Sequence, residues 1–280
     1  MSLVNDLLRP LFDWLQYPLR GLSPFMGVLI WSIPVGVFAL WVFGKTSNQD
    51  RIAAVKKRIH AGLFEIRLFN DDLRAIARAQ WEILGHVVHY QALALKPMLF
   101  ILPPLVLVMV QLHMFYGFRA LEPGESALLT VQLRPGTVSE GQRPDVTLDL
   151  PQGLQPETAA VWVPSLNQLN WRVGVAEWGA YELAVEVEGE RFSKSLVATD
   201  KVERLSPERP PRTFIDQLEW PSEPPLGDEG AVQEISLAYP DGVISFLGWR
   251  FEWRYAWMVD FFVLTMVVAL VLRKPMGVEL

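Results

Sequence analysis

Three charge-poor apolar stretches, Phe25 to Phe43, Pro97 to Phe118 and Tyr255 to Leu272, constrain this chain more than anything else in it. Each is close to the ~20 residues that an α-helix needs to cross a bilayer core. A backbone in lipid finds no water to bond, so such stretches are helical and must pack against something. Their order is stretch, helical insert, stretch, long insert, stretch. A mean hydropathy of +0.21 fits a half-embedded chain.

Charge separates the two inserts. Gly44 to Lys96 carries nine basic and five acidic residues, whereas Phe118 to Arg254 carries 12 basic and 22 acidic. Lys and Arg beside apolar spans favour the cytoplasmic side. The first insert is therefore expected in the cytoplasm, with the tail that follows Arg273 and Lys274. The N-terminus and the acidic insert are expected outside. A long insert crosses whatever its charge, so its acidity is supporting evidence only.

The chain has no cysteine, so its outer insert is held by its core, and thiol chemistry is excluded. The first apolar stretch reads as a retained anchor. Asp6, Arg9, Asp13 and Arg20 ahead of it sum to zero charge, and no small-residue cleavage site follows.

Residues 1–22 read as an amphipathic segment on the outer surface, with Val4, Leu7, Leu8, Leu11 and Leu15 at helical spacing and Trp14 and Tyr17 as interface anchors. Residues 23–45 form the first transmembrane helix, which Pro34 is expected to kink. Residues 46–96 read as a cytoplasmic helical hairpin. Ser47, Asn48 and Asp50 supply capping chemistry, Asn70 to Asp72 form the break, and Asp71 or Asp72 caps the returning helix. Ile52, Val55, Ile59, Phe64, Ile66 and Phe69 are expected to be buried against Leu73, Ile76, Ala77, Trp81, Leu84, Val88 and Leu95.

Residues 97–118 form the second transmembrane helix, which Pro103 and Pro104 are expected to break. From Ser126 to Thr199 the period becomes strand-like, and 119–204 is assigned to an all-β, immunoglobulin-like sandwich with a hairpin turn at Glu188 to Glu190. Six prolines between residues 205 and 230 suggest that 205–247 is an extended linker back to the membrane. Residues 248–273 combine an aromatic belt (Trp249, Phe251, Trp253, Tyr255, Trp257) with the third transmembrane helix, and 274–280 are a cytoplasmic tail. The fold class is thus a three-span α-helical membrane protein with a cytoplasmic hairpin and an inserted β-domain.

Catalytic signals are nearly absent: there is no phosphate loop, nucleophile elbow or His-Glu-x-x-His, so no catalytic residue, metal or cofactor is expected. His86 and His89, three apart on one hairpin arm with His60 on the other, read as helix-surface histidines. Polar groups inside the spans say more, because each is costly unless it faces protein or water. Asp260 lies near the outer interface and is expected to be solvated or paired with Arg250 or Arg254, Gln111 and His113 are candidates to line a cavity, and Ser32 and Thr265 can bond their own backbones. The basic outer face of the hairpin (Lys56, Lys57, Arg58, Arg67, Arg74, Arg78, Lys96) reads either as an ordinary solvated face or as one that attracts anionic headgroups or RNA.

Ala94-Leu95-Lys96-Pro97-Met98 opens the second span and Leu272-Arg273-Lys274-Pro275-Met276-Gly277-Val278 closes the third. With this topology, residues 1–118 and 245–280 resemble the three-span core of Oxa/YidC-type membrane protein insertases. They are most similar to the archaeal YidC-like branch and the insertase subunit of the endoplasmic reticulum membrane complex. The resemblance implies a hydrated groove, open to cytosol and lipid, that shortens the apolar distance a client's polar flank must cross without nucleotide hydrolysis. Ser32, Gln111, His113, Asp260 and Thr265 would line it, and the hairpin would capture nascent membrane proteins or contact the ribosome.

The chain departs from the family in two ways. Bacterial members often carry an arginine inside the first core span, whereas Phe25 to Phe43 is uncharged and Arg20 lies just outside. The family's short outer loop is replaced by the β-domain, which could chaperone emerging tails, cap the groove or bind an extracytoplasmic protein. The localisation expected is the plasma or inner membrane. The rival reading is a non-catalytic scaffold whose β-domain recruits a partner while the helices anchor it. An ion- or lipid-handling enzyme has no motif behind it.

Overall fold

The computed structural model describes residues 2–69, 72–138, 142–228, 230–246 and 249–278. Asn70 and Asp71 of the expected hairpin break, Gly248 at the head of the aromatic stretch and the last two residues of the tail lie outside the described residues. The chain forms two compact units, Met1–Val28 with Leu107–Asp260 and Leu29–Val106 with Phe261–Leu280.

Six α-helices are present among the described residues: α1 (Ser2–Gln16), α2 (Pro24–Thr46), α3 (Gln49–Leu68), α4 (Leu73–Tyr116), α5 (Phe214–Glu219) and α6 (Ala256–Leu272). Two of them, α2 and α4, are long and apolar enough to cross a membrane. The third expected span is shorter: α6 has 17 residues, about 26 Å at ~1.5 Å per residue, against a hydrocarbon core of ~30 Å. Helix α4 has 44 residues and runs through Pro97, Pro103 and Pro104, so the expected break is absent. Proline costs the helix a donor, but its fixed φ is helical and apolar helices tolerate it.

In the second unit, glycines set the close approaches. A Cβ on Gly36 would lie 2.8 Å from Val268 Cγ1 and 3.2 Å from the Thr265 carbonyl, so α2 packs tightly on α6 there. Gly62 of α3 meets Ile83 of α4 in the same way. The Asn48 side chain accepts the Arg51 N–H at 3.0 Å, and Asp72 accepts the Arg74 N–H at 2.9 Å, capping α3 and α4. After α6 the Val278 N–H reaches the Arg273 carbonyl at 2.9 Å and the Gly277 N–H reaches that of Lys274 at 3.1 Å. This is a Schellman cap, and it requires the left-handed φ of 64° at Gly277. The Lys-Pro-Met-Gly-Val ending is therefore a helix stop that turns Val278 inward against Gly44.

The first unit is built on β1 (Ser126–Leu133), β2 (Val146–Asp149), β3 (Leu154–Pro156), β4 (Val161–Val163), β5 (Gln168–Val175), β6 (Gly179–Val187), β7 (Glu190–Ala198), β8 (Glu208–Arg209), β9 (Val232–Leu237), β10 (Val243–Phe246) and β11 (Trp249–Glu252). Among the described residues all pairings between these strands are antiparallel, and a single parallel bridge joins Leu121 to Ala198. One sheet has the order β3-β5-β1-β9-β8, with β4 also on β5; a second is β2-β6-β7; β10 and β11 form a separate hairpin. Strand β1 buries every second residue (Ala127, Leu129, Val131, Leu133), the period of a strand with one face inward. That face shares one core with Leu169, Trp171 and Val173 of β5 and with Leu183, Val185, Val187 and Leu196 of the second sheet. The β6–β7 turn places Glu188 and Gly189 at φ 50° and 81°, the two-residue loop that matches strand twist.

The stretch 205–247 is not a linker. It holds β8, α5, β9 and β10, and β9 pairs with β1 in the middle of the first sheet. Leu205, Leu226, Val232, Ile235, Leu237 and Tyr239 all join the core. The six prolines stand outside β8, α5 and β9, and three of them, Pro207, Pro210 and Pro221, are themselves buried. The segment also closes the free edge of β7. Glu223 Oε1 accepts the Ser195 N–H at 2.7 Å and the Tyr239 hydroxyl oxygen accepts the Val197 N–H at 2.9 Å. Bare edge donors invite pairing with another chain, and here they are taken.

Candidate functional site

In the hairpin, the face expected to be buried is largely exposed. Ile52 and Val55 are buried as expected, but Phe64, Phe69, Leu73, Trp81, Leu84, Val88 and Leu95 are exposed, and Ala79 is buried instead. The helices approach closely at Gly62, which lies against Ile83 and near the Ala79 carbonyl, while Phe64, Trp81 and Leu84 stay outside. Lys57, Arg58, Arg67, Arg74, Arg78 and Lys96 are exposed and Lys56 is half-buried. Beside Lys96, a cavity of about 680 Å³ is lined by Lys45, Asn48, Asp50, Arg51 and Leu93 among others. The hairpin thus presents an apolar surface interspersed with guanidinium and ammonium groups.

The polar residues of the three apolar stretches fall in both units: Gln111, His113 and Asp260 in the first, Ser32 and Thr265 in the second. Ser32, Gln111 and His113 are buried, which removes them from the surface of an open cavity, whereas Asp260 and Thr265 are half-buried. His113 Nδ1 accepts the indole N–H of Trp257 at 3.2 Å. Its ring stacks on Tyr255 at 5.4 Å with 5° between planes and meets Phe118 edge-on at 5.1 Å. Trp257 is accordingly buried and not part of an aromatic belt. Gln111 Oε1 and Thr265 Oγ1 are buried with no hydrogen-bond partner among the described residues, so the backbone bond expected of Thr265 is not made. Neither arginine expected near Asp260 pairs with it: Arg254 bonds Asp241 at 3.1 Å and Arg250 bonds Glu252 at 2.9 Å.

The end of α4 is clasped within the first unit. Gln16 donates to the Tyr116 hydroxyl at 2.9 Å, and Tyr116 donates back to Gln16 Oε1 at 3.1 Å. The Leu205 N–H bonds the Met114 carbonyl, the Arg119 N–H the Pro240 carbonyl and the Gly242 N–H the Gly117 carbonyl, each at 2.9 Å. Gly242 has no alternative, since a side chain there would strike the Tyr116 carbonyl and Gly117. A cavity of about 400 Å³ opens beside this clasp, lined by residues that include Ser23, Pro24, Phe115, Arg119, Lys201 and Glu203. Arg119 pairs with Glu125 at 2.7 Å, and that bond holds the Glu125 carboxyl below its usual range.

Sequence reasoning passed over a buried charge cluster in the β-domain. Lys194 is fully buried and donates to Glu223 Oε2 at 2.5 Å, to the Ser206 carbonyl at 2.5 Å and to Ser206 Oγ at 2.9 Å. Burial lowers the Lys194 pKa, with Glu223 opposing. Burial raises that of Glu223, but the Lys194 charge and the bonds from Lys194, Ser206 and Ser195 outweigh it and hold the carboxyl low. Nearby in sequence, burial, followed by Glu234, Glu219 and Asp216, pushes Glu208 up to about 8. A lysine in the inward register of β7 was the available signal. No protein-family model, curated protein or solved structure matches the chain.

Proposed function

We propose that this chain is a multi-pass protein of the plasma or inner membrane that acts as an insertase or insertion chaperone for small membrane proteins. In this reading α2, α4 and α6 are three transmembrane helices, the α3–α4 hairpin is cytoplasmic and the β-domain is an immunoglobulin-like sandwich outside. The observation that carries it is the uncovered surface of α4. Only 6% of its most apolar window is buried, and on the hairpin arm Trp81, Leu84, Val88 and Leu95 lie exposed along the same helix as Arg74 and Arg78. A continuous apolar helix with basic residues on its cytoplasmic arm suits an emerging segment that is apolar with polar flanks. Client and lipid would both be held by burial of apolar area, at ~25 cal/mol per Å², with no cofactor.

Burial of Gln111 and His113 favours the second reading, a membrane scaffold whose β-domain recruits an extracytoplasmic partner, because a buried side chain wets no groove. Photo-crosslinking residues at Trp81, Val88 and Met109, each probed with stalled nascent chains of short membrane proteins, separate the two. Crosslinks that require the client's transmembrane segment support insertion. Their absence at all three, with the fold intact, leaves the scaffold.

A further inference from the structure

Helix α1 is mounted with its apolar face outward. At 3.6 residues per turn, Asn5, Phe12 and Gln16 share one narrow sector, and all three are buried. Leu3, Leu7, Leu11 and Trp14 fall on the opposite side and are 79%, 74%, 47% and 72% exposed. The docked sector is fastened by polar bonds, Asn5 Nδ2 to the Gln217 carbonyl at 2.6 Å and Gln16 to Tyr116, and beside it Arg204 Nε donates to Asp13 Oδ1 at 2.7 Å. A helix on a water-facing surface has its apolar stripe inward, and here the order is reversed.

A second element, in contact with α1, also exposes apolar residues. The Asn5 bond ties α1 to α5, and α5 exposes Phe214 and Ile215 at 63% and 69%, next to the exposed Arg212. Beyond α1, the exposed residues Tyr17, Leu22 and Met26 lead into α2. Seven residues, Tyr17 to Ser23, join α1 to α2, and at ~3.5 Å each they hold the face within ~25 Å of the point where α2 begins. The connection is itself pinned to the β-domain by the Val202 N–H on the Arg20 carbonyl at 3.0 Å and by Arg20 with Glu203 at 3.2 Å. Leucines flanked by Trp14, Tyr17 and arginine are the composition that partitions into the headgroup boundary.

We propose that α1 and α5 form a composite lipid-docking ledge that lays the β-domain on the phospholipid leaflet α2 enters at Pro24. The proposal rests on the reading of α2 as a membrane span. It makes the β-domain a surface-bound element held at two points, at α1 and at its own Phe214-Ile215 tip.

The absence of native cysteine makes single nitroxide labels clean. The full chain would be labelled at Leu7→Cys, Ile215→Cys, Leu166→Cys or Phe38→Cys in nanodiscs of phosphatidylcholine with phosphatidylglycerol, and collisions measured with oxygen and with a water-soluble nickel chelate. All four residues are exposed, so the variants leave the core intact. The ledge requires labels at Leu7 and Ile215 to show an oxygen-to-nickel ratio several-fold above that at Leu166. An Ile215 label that behaves like Leu166 while Phe38 is lipid-immersed overturns the ledge and spares the membrane reading. Water-like values at Phe38 as well overturn both.

Discussion

Trp257 donates its indole N–H to Nδ1 of His113 at 3.2 Å, and both side chains are buried. The bond joins the start of α6 to the end of α4, where the chain meets its β-domain. A buried imidazole nitrogen left without its donor carries a desolvation cost, so the pair acts as a fixed pin.

Trp257→Phe keeps an aromatic ring but removes the donor and the fused five-membered ring. It should destabilise the protein by about 1–3 kcal/mol, the cost of an orphaned buried acceptor plus lost packing. Thermal unfolding in detergent, followed by near-ultraviolet circular dichroism, should give a lower Tm. An unchanged Tm would mean that His113 finds another donor.

Glu223→Gln leaves the buried Lys194 ammonium without its counter-charge and should cost about 3–5 kcal/mol. Lys194→Met combined with Glu223→Gln should cost less, because no charge then remains buried and the glutamine oxygen still accepts the Ser195 N–H. Urea denaturation of both variants checks the difference, and equal losses would show that the ion pair is not what holds the 205–225 segment on β7.

Two carboxylates give opposite pH signs. Glu208 has its pKa raised from 4.5 to about 8, so the native state keeps a proton that the unfolded chain releases. Its contribution is present below pH 4.5 and is lost as pH rises to about 8. Glu223 is held low, so its contribution is present above the unfolded pKa of 4.5 and is lost as pH falls below it. Glu208→Gln should therefore match the parent near pH 4.5 and exceed it in Tm at pH 8 and above. A parallel pair of Tm curves across that range would refute the assignment.

Gly27→Val should disturb the clasp on α4. A Cβ at Gly27 would collide with the Tyr116 hydroxyl and lie 3.0 Å from its Cζ, so the ring must move and release Gln16. About 1–3 kcal/mol is expected from overpacking. Gly21→Val, where a Cβ meets nothing within 4 Å, is the matched control in the same melts.

Local patterns were legible where neighbours decide structure. The β6–β7 turn followed from Glu188-Gly189, the α3 cap from Asn48 and the alternation of β1 from its own residues. Segment 205–247 reads as a linker because its prolines stand outside β8, α5 and β9, while the place of β9 between β1 and β8 is a long-range pairing. The hairpin seam departs from its pattern for a related reason. Bulky apolar residues at helical spacing look like a core, yet the close approach is at Gly62, against Ile83 and near the Ala79 carbonyl, and Trp81 and Leu84 stay outside.

Apolar run length, charge asymmetry and turn chemistry are properties of the chain itself, and they determined that it holds helices able to cross a membrane around a β-rich insert. Which face of each element is covered depends on partners distant in sequence. Asn5 meets Gln217, Gln16 meets Tyr116 and Trp257 meets His113 only after folding. That is why only the tertiary structure turned the leucines of α1 outward and sealed Gln111 and His113 inside: burial is a property of contacts, and periodicity describes one element at a time.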